Sequence, residues 1–277
     1  VNQQVDIATI GACLAVGLGI YALVVVGAYF TQASIIFRTG GLTATPPAAF
    51  PIEQVAFETA DGLTLNGWWL SGTSTGRTIL YFQGNRQWPS EYRRRLTTFT
   101  RLGVNALIFD YRGFGQSPGH IREEEDIYRD GLAAWDYLGR RRAVAPEHII
   151  LWGRSLGGAV AVEVARRRTI GGLILESTFN SMADMGDHQY GWLPTRRLLR
   201  FQFDSGAKIA QVTAPLIVIH SPEDRYIPFT QAEKLFRQAS HPKALLKTSG
   251  SHIDLFDHCE AEMHTFQALW RRLTDSQ

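Results

Sequence analysis

Cysteine is almost missing from the chain. Cys13 and Cys259 are the only two in 277 residues, so no disulfide framework holds the fold together. Lysine is nearly as scarce, with Lys208, Lys234, Lys243 and Lys247 alone, and the remaining positive charge is arginine. Neither sign of charge is in excess: 28 Lys and Arg stand against 26 Asp and Glu, a net of +2. That leaves no strong field for nucleic acid. Apolar residues make up 45% and charged residues 19%, which excludes a disordered chain, a collagen-like repeat and a coiled coil. No internal repeat and no low-complexity tract occurs. A phosphate-cradling G-x-x-x-x-G-K-[ST] loop and a zinc-protease H-E-x-x-H are both absent. What remains is enough apolar material for one large core.

Charge is missing altogether from residues 7–30, a run of 24. As a helix this run extends roughly 36 Å, enough to cross a hydrocarbon layer of ~30 Å with some tilt. A helix satisfies its own backbone in lipid. A buried core helix seldom runs this long without a charge. A cleavable signal peptide needs a basic leader, and residues 1–6 contain no Lys or Arg. The expectation is a retained single-pass anchor over residues 1–31, in contact with the bilayer. Arg38 is the one cation shortly after the run. One arginine leaves the membrane side open. Residues 32–51, with Thr45-Pro46-Pro47 and Pro51, read as a linker.

From residue 52 onward strand and helix alternate. Residues 54–58 and 63–70 form two strands around the Asp61-Gly62 turn. Further strands are expected at 78–82, 104–109, 148–152, 172–175, 216–219 and 244–247. Helices are expected at 91–101, 123–138, 156–167, 230–239 and 255–272. Ile127, Leu132, Trp135 and Leu138 form the inner side of the second of these helices. This pattern predicts an α/β fold, a mostly parallel sheet with helices on both faces. One stretch breaks the rhythm. About residues 178–212 are too many for a simple crossover, and they carry Trp192, Leu193, Leu198, Leu199, Phe201 and Phe203. They read as a small lid over the carboxyl ends of the strands.

The segment Gly153-Arg154-Ser155-Leu156-Gly157 fits G-x-S-x-G, between an expected strand and an expected helix. That context gives the motif its meaning. A serine on a sharp strand-to-helix turn stands clear of the sheet, at a helix N-terminus that favours developing negative charge. Ser155 is therefore the expected nucleophile. In such an architecture a carboxylate and a histidine follow in chain order. The carboxylates available are Glu176, Asp184, Asp187, Asp204, Glu223 and Asp224; Asp224 follows the strand at 216–219 and reaches the same sheet edge. The histidines are His241, His252, His258 and His264; His252 sits in a loop after the last strand. His252 would act as general base and Asp224 would orient it. An oxyanion hole needs two backbone N–H groups, expected from Leu156 and, in the loop after residues 78–82, from Asn85.

These residues resemble the α/β-hydrolase superfamily, and within it the membrane-anchored serine hydrolases of the Bem46 and ABHD13/ABHD17 type. The likeness rests on four blocks. They are Tyr81-Phe82-Gln83-Gly84-Asn85, the run from Phe109 to Ser117, the Ser155 elbow, and the Asp224 and His252 loops. It implies an α/β-hydrolase fold with an eight-stranded sheet over residues 52–277, and no cofactor. Relatives usually carry His-Gly where this chain has Gln83-Gly84, so the hydrogen bonding of that loop is expected to differ. The glycines of residues 110–117 read as a tight turn, with Arg112 anchoring a neighbouring loop. The arginine triplets 93–95, 140–142 and 166–168 read as solvated helix faces rather than as a nucleic-acid or lipid patch. His252, Asp254, Asp257 and His258 could be drawn as a metal cluster, but His252 already has a role, and no metal is expected. The expected function is a membrane-anchored serine hydrolase acting on a carboxylic ester or thioester, with a small-molecule or acyl-chain substrate. A serine peptidase with the same three residues, and a non-catalytic membrane-bound scaffold, are the alternatives.

Overall fold

The apolar runs after residue 51 become eight strands of one sheet. The computed structural model describes residues 7–39, 45–73, 76–85, 89–252 and 260–275. Strands β1 (Ile52–Glu58), β2 (Thr64–Leu70), β3 (Thr78–Phe82), β4 (Asn105–Phe109), β5 (Ile149–Arg154), β6 (Gly172–Glu176), β7 (Leu216–His220) and β8 (Lys243–Lys247) lie in the order β1-β2-β4-β3-β5-β6-β7-β8. The two pairings that involve β2 are antiparallel and every other pairing is parallel. The central strands β3, β5, β6 and β7 are buried at every residue, as parallel strands covered on both faces must be.

Helices cover those two faces. The helices are α1 (Ile7–Ile36), α2 (Pro89–Leu102), α3 (Glu124–Arg142), α4 (Leu156–Arg167), α5 (Met182–Gln189), α6 (Thr195–Leu198), α7 (Gly206–Ile209), α8 (Phe229–Gln238) and α9 (Glu260–Asp275). One core packs α3, α4 and α8 on the sheet through Leu80, Phe82, Val160, Val164, Leu175 and Leu235. The other packs α2 and α9 on the opposite face through Leu96, Phe99, Trp152, Ile174 and Phe266. Alternate residues along β3 and β5 feed the two cores, because successive side chains leave a strand on opposite faces. Leu132 and Trp135 are only half-buried. The expected start of the last helix, residues 255–259, lies outside the described residues.

The N-terminal helix runs six residues past Phe30. It reaches Ile36, so the segment expected to open a linker is helical instead. The reason is a set of contacts with the insert between β6 and β7. Gln32 is buried; its Nε2 donates to the Leu198 carbonyl at 2.8 Å and its Oε1 accepts from the Arg200 amide at 2.8 Å. Just beyond the helix, the Phe37 ring packs against Phe201 and Phe203, with centroids 5.0 and 6.1 Å away. Phe201 and Phe203 are therefore core residues and do not face a substrate. Before Gln32 most of α1 is exposed. Its most apolar stretch has a mean hydropathy of 2.3 and no buried part, with Leu14, Leu18, Leu23 and Phe30 all more than 60% exposed. It is long and apolar enough to cross a membrane.

The arginine triplets are not simply solvated. Arg95 is buried and pairs with Glu176. Arg142 lies over the Trp69 ring and bonds Glu53. Arg167 joins Glu125 and Glu163. Arg112 does anchor a loop, since its guanidinium meets Asp61, Asp126 and Asp130 together.

Candidate active site

β5 passes into α4 through the single residue Ser155. Ser155 takes φ 51° and ψ −123°, a conformation that costs a non-glycine residue about 1–3 kcal/mol. Its neighbours hold it there. The Ser155 amide donates to the Glu176 carbonyl at 2.9 Å, and Thr178 Oγ1 donates to the Ser155 carbonyl at 2.7 Å. Both partners come from the end of β6 and the loop after it. The flanking glycines are needed for space: a Cβ on Gly157 would lie 2.0 Å from the Phe82 carbonyl oxygen, and one on Gly153 would lie 2.5 Å from the Gly157 oxygen. The elbow is thus pressed against the end of β3.

Two loops from distant parts of the chain bring their polar groups to Ser155. His252 Nε2 is 3.2 Å from Ser155 Oγ. His252 Nδ1 is 2.7 Å from Asp224 Oδ2. The other Asp224 oxygen accepts the amides of Tyr226 at 2.8 Å and Ile227 at 2.9 Å. Burial pushes the Asp224 carboxyl up, but the His220 and His252 imidazoles and the Ile227 amide outweigh it and hold the group well below the usual carboxylate range. It is therefore an anion at neutral pH. An anion accepts, so the proton between it and the ring belongs to His252 Nδ1, which leaves Nε2 as an acceptor for the Ser155 hydroxyl. The Tyr226 ring stands beside the imidazole, with centroids 5.7 Å apart.

Other candidates lie elsewhere. Glu223 reaches toward the Gly250 amide at 3.4 Å. Asp184 and Asp187 pair with Arg196 in the lid. Asp204 accepts the Ala207 amide. Asp254, Asp257, His258 and Cys259 fall outside the described residues. Leu156 opens α4 beside Ser155, and both Leu156 and Asn85 line the cavity described below. The Asn85 side chain donates to the Ile36 carbonyl at 3.2 Å, tying its loop to the end of α1. Gln83, in the place of the usual histidine, is buried and fixes this loop. Its Nε2 donates to the Phe109 carbonyl at 3.1 Å and its Oε1 accepts from the Tyr92 hydroxyl at 2.8 Å.

Three further residues near the site have roles that the sequence did not suggest. Arg154 is the variable position of the motif, yet it is buried, its guanidinium bonded to Glu91 and, at 2.7 Å, to the His252 carbonyl. Burial pushes the Glu91 carboxyl up, but Arg154 and Arg95 outweigh it and hold it below its ordinary value. Glu176, one of the candidate carboxylates, sits beside Arg154 in the register of β5 and β6 and accepts from Arg95 and Trp152. His220 is fully buried, with Nε2 2.8 Å from the Ile227 carbonyl and 3.5 Å from Asp224 Oδ2. In sequence Arg154 and Glu176 show only as opposite charges at the ends of two apolar strands, and the register makes them neighbours.

Ser155 opens on a cavity of about 490 Å³. Met182, Met185, Leu193, Leu198 and Leu199 of the insert form one side, and Val24, Ala28, Ile35 and Ile36 of α1 form another. Most of this wall is apolar. Its ionisable groups Arg38, Glu91, Arg154 and His252 belong to elements around Ser155 or to the end of α1, while Gln32 of α1 and Gln189 and Thr195 of the insert add neutral polar atoms.

Comparison with known proteins agrees with this architecture. A family model described as "Serine aminopeptidase, S33" matches residues 74–205. An uncharacterized protein of Mycobacterium tuberculosis is 36% identical over 219 residues, 78% of each chain. The "Alpha/beta hydrolase domain-containing protein 17B" of Xenopus laevis is 31% identical over 184 residues, 64% of this chain and 61% of its own. Among solved structures, the Pyrococcus furiosus esterase Pf2001 superposes with a TM-score of 0.67 at 17% identity, covering 87% of this chain and 97% of that one. The chain belongs to the α/β-hydrolase superfamily.

Proposed function

We propose that the protein is a membrane-anchored serine hydrolase that cleaves carboxylic ester or thioester bonds through an acyl-enzyme on Ser155. The observation that carries this reading is the row of contacts from Ser155 Oγ to His252 Nε2 at 3.2 Å and from His252 Nδ1 to Asp224 Oδ2 at 2.7 Å. His252 takes the Ser155 proton as Oγ bonds to the acyl carbon, and the tetrahedral oxyanion is held by the Leu156 and Asn85 amides. The imidazolium then returns its proton to the departing alkoxide or thiolate. In the second half, water loses a proton to His252 and attacks the acyl-enzyme, and Ser155 Oγ leaves with that proton. Asp224, already an anion, stabilises the charged ring in both halves. No cofactor enters these steps. Helix α1, over residues 7–31, is the anchor; the segment 178–212 is the lid.

The peptidase reading draws support from the description of the matching family model. An aminopeptidase needs a free carboxylate to hold the substrate's ammonium group. Among the described residues lining the cavity, Glu91 is the one carboxylate, and Arg154 already neutralises it. The mainly apolar wall suits an acyl group better. The test is a panel of p-nitrophenyl esters of rising chain length against aminoacyl anilides, on the full chain in detergent. Ester turnover that rises with chain length is expected. Faster anilide turnover would reverse the ranking.

A further inference from the structure

The helix read as an anchor is also part of the cavity. Val24, Ala28, Gln32, Ile35 and Ile36 all line it. Their spacing of four, four, three and one puts them on a single face of α1. Over 12 residues that face is about 18 Å long. Its near end is fixed beside the reacting groups, because the Asn85 side chain bonds the Ile36 carbonyl. Its far end lies inside the uncharged run, at Val24. The lid follows α1 along this whole length. Gln32 is held by Leu198 and Arg200, and one turn above Val24 the Tyr21 hydroxyl donates to the Trp192 carbonyl at 3.2 Å.

The Tyr21 contact with the lid tip comes nine residues before Phe30, and the part of α1 that precedes it, residues 7–20, is exposed throughout. The lid tip beside it exposes Tyr190 and Trp192, 43% and 61% accessible. Exposed Tyr and Trp next to an apolar helix suit a membrane interface. Arginines collect at the other end: Arg200 stacks near Tyr29, and Arg196 is exposed on the adjoining lid helix. Cavity, lid tip and α1 therefore share one polarity gradient, from charged groups near Ser155 to apolar surface near Val24.

We infer that α1 is a wall of the acyl-binding site as well as an anchor, and that a long acyl chain enters from the bilayer between α1 and residues 190–193. The substrate is then a membrane-borne acyl ester or thioester, not a dissolved one. This rests on the serine-hydrolase reading above and deepens it. It commits to a substrate class, an acyl group whose tail lies in a leaflet while its carbonyl reaches Ser155.

The test uses the full chain in phosphatidylcholine vesicles. Three substrates are compared: p-nitrophenyl palmitate in the bilayer, an S-palmitoyl peptide bound to the same vesicles, and p-nitrophenyl butyrate in water. Ala28→Trp and Val24→Trp add bulk to the cavity wall. Leu23→Trp adds similar bulk at the same depth, on a residue that does not line the cavity. Fluorophosphonate labelling of Ser155 checks that each variant is folded. The ratio of kcat/KM for a palmitoyl substrate to that for butyrate should fall about tenfold or more in both wall variants. It should stay within about twofold in Leu23→Trp. A fall with the ester shows a lipid-type substrate, and a fall with the peptide alone shows a protein-borne acyl group; either supports the inference. Unchanged ratios in labelled wall variants, or an equal fall in Leu23→Trp, would overturn it while leaving the hydrolase reading intact. A wild-type protein that neither labels nor turns over butyrate would remove the hydrolase reading, and the inference with it.

Discussion

Arg154 Nη2 donates to the main-chain carbonyl of His252 at 2.7 Å. The residue before the proposed nucleophile thus holds the loop that carries the proposed base. Its other arm is bonded to Glu91, and the buried Glu176 lies beside it. Arg154→Lys keeps the charge but loses the planar fork that serves two partners at once. The expected result is a fall in kcat of about ten- to a hundredfold, the scale of a misplaced catalytic group, with a smaller change in KM. Steady-state kinetics with a short ester, beside a thermal melt, separates this from simple unfolding. An unchanged kcat would mean that the His252 loop is held by other contacts.

Gly157→Ala should be strongly destabilising. The added Cβ would sit 2.0 Å from the Phe82 carbonyl oxygen, which is backbone and cannot rotate away. Relief requires the elbow and the end of β3 to separate, which moves the Gln83–Asn85 loop as well. A loss of about 1–3 kcal/mol is expected by urea unfolding, with reduced fluorophosphonate labelling of Ser155. A variant of native stability and reactivity would show that the contact yields easily.

Arg112 is the hub of a second buried cluster, with Asp61, Asp126 and Asp130 around it. The bond from Arg112 holds the Asp61 carboxyl down to about 2, whereas burial pushes Asp130 up. Arg112→Met leaves Asp130 buried and unpaired. Denaturant titration should show a loss of about 3–5 kcal/mol. A loss below 1 kcal/mol, on the scale of a surface pair, would show that the cluster is not desolvated as its packing indicates.

Acid stability should depend on Glu163. Its side chain is about 1% exposed and meets Arg166, Arg167 and Lys208. Burial pushes its carboxyl up, but bonds from Arg166, Lys208 and Arg167 outweigh it and hold it at about 2, against an ordinary 4.5. A depressed folded-state value contributes stability that is complete above the unfolded value and is lost as the folded group protonates. The loss therefore falls between pH 4.5 and 2, on the order of 3 kcal/mol. Glu163→Gln should flatten that part of the stability–pH curve measured in detergent micelles. An unchanged curve would assign the acid limb to other carboxylates.

The sheet was legible because its strands are short, apolar and bounded by turns. The limits of β3 and α4 match residue for residue, and most others fall within a few residues. Ser155, Asp224 and His252 were legible because each follows a strand at the same sheet edge. The ion pairs around Arg154 were not, because local sequence shows a charged residue near a strand end as exposed. Only the register that sets Arg154 beside Glu176, and the helix that brings Glu91, reveal that it is buried. The reach of α1 was hidden for a similar reason. Residues 31–36 carry no helix stop signal, and the partners of Gln32 lie more than 160 residues away. Phe201 and Phe203 were legible only as apolar residues of the lid, and packing against Phe37 places them in the core.

The central proposal is that Ser155 attacks and carries the acyl group. The most direct measurement is mass spectrometry of the full chain after reaction with a fluorophosphonate, with peptide mapping of the adduct, on wild type and Ser155→Ala. A single adduct on Ser155 is predicted, absent from Ser155→Ala and formed far more slowly in His252→Ala. An adduct on another residue, or labelling that persists in Ser155→Ala, would contradict it.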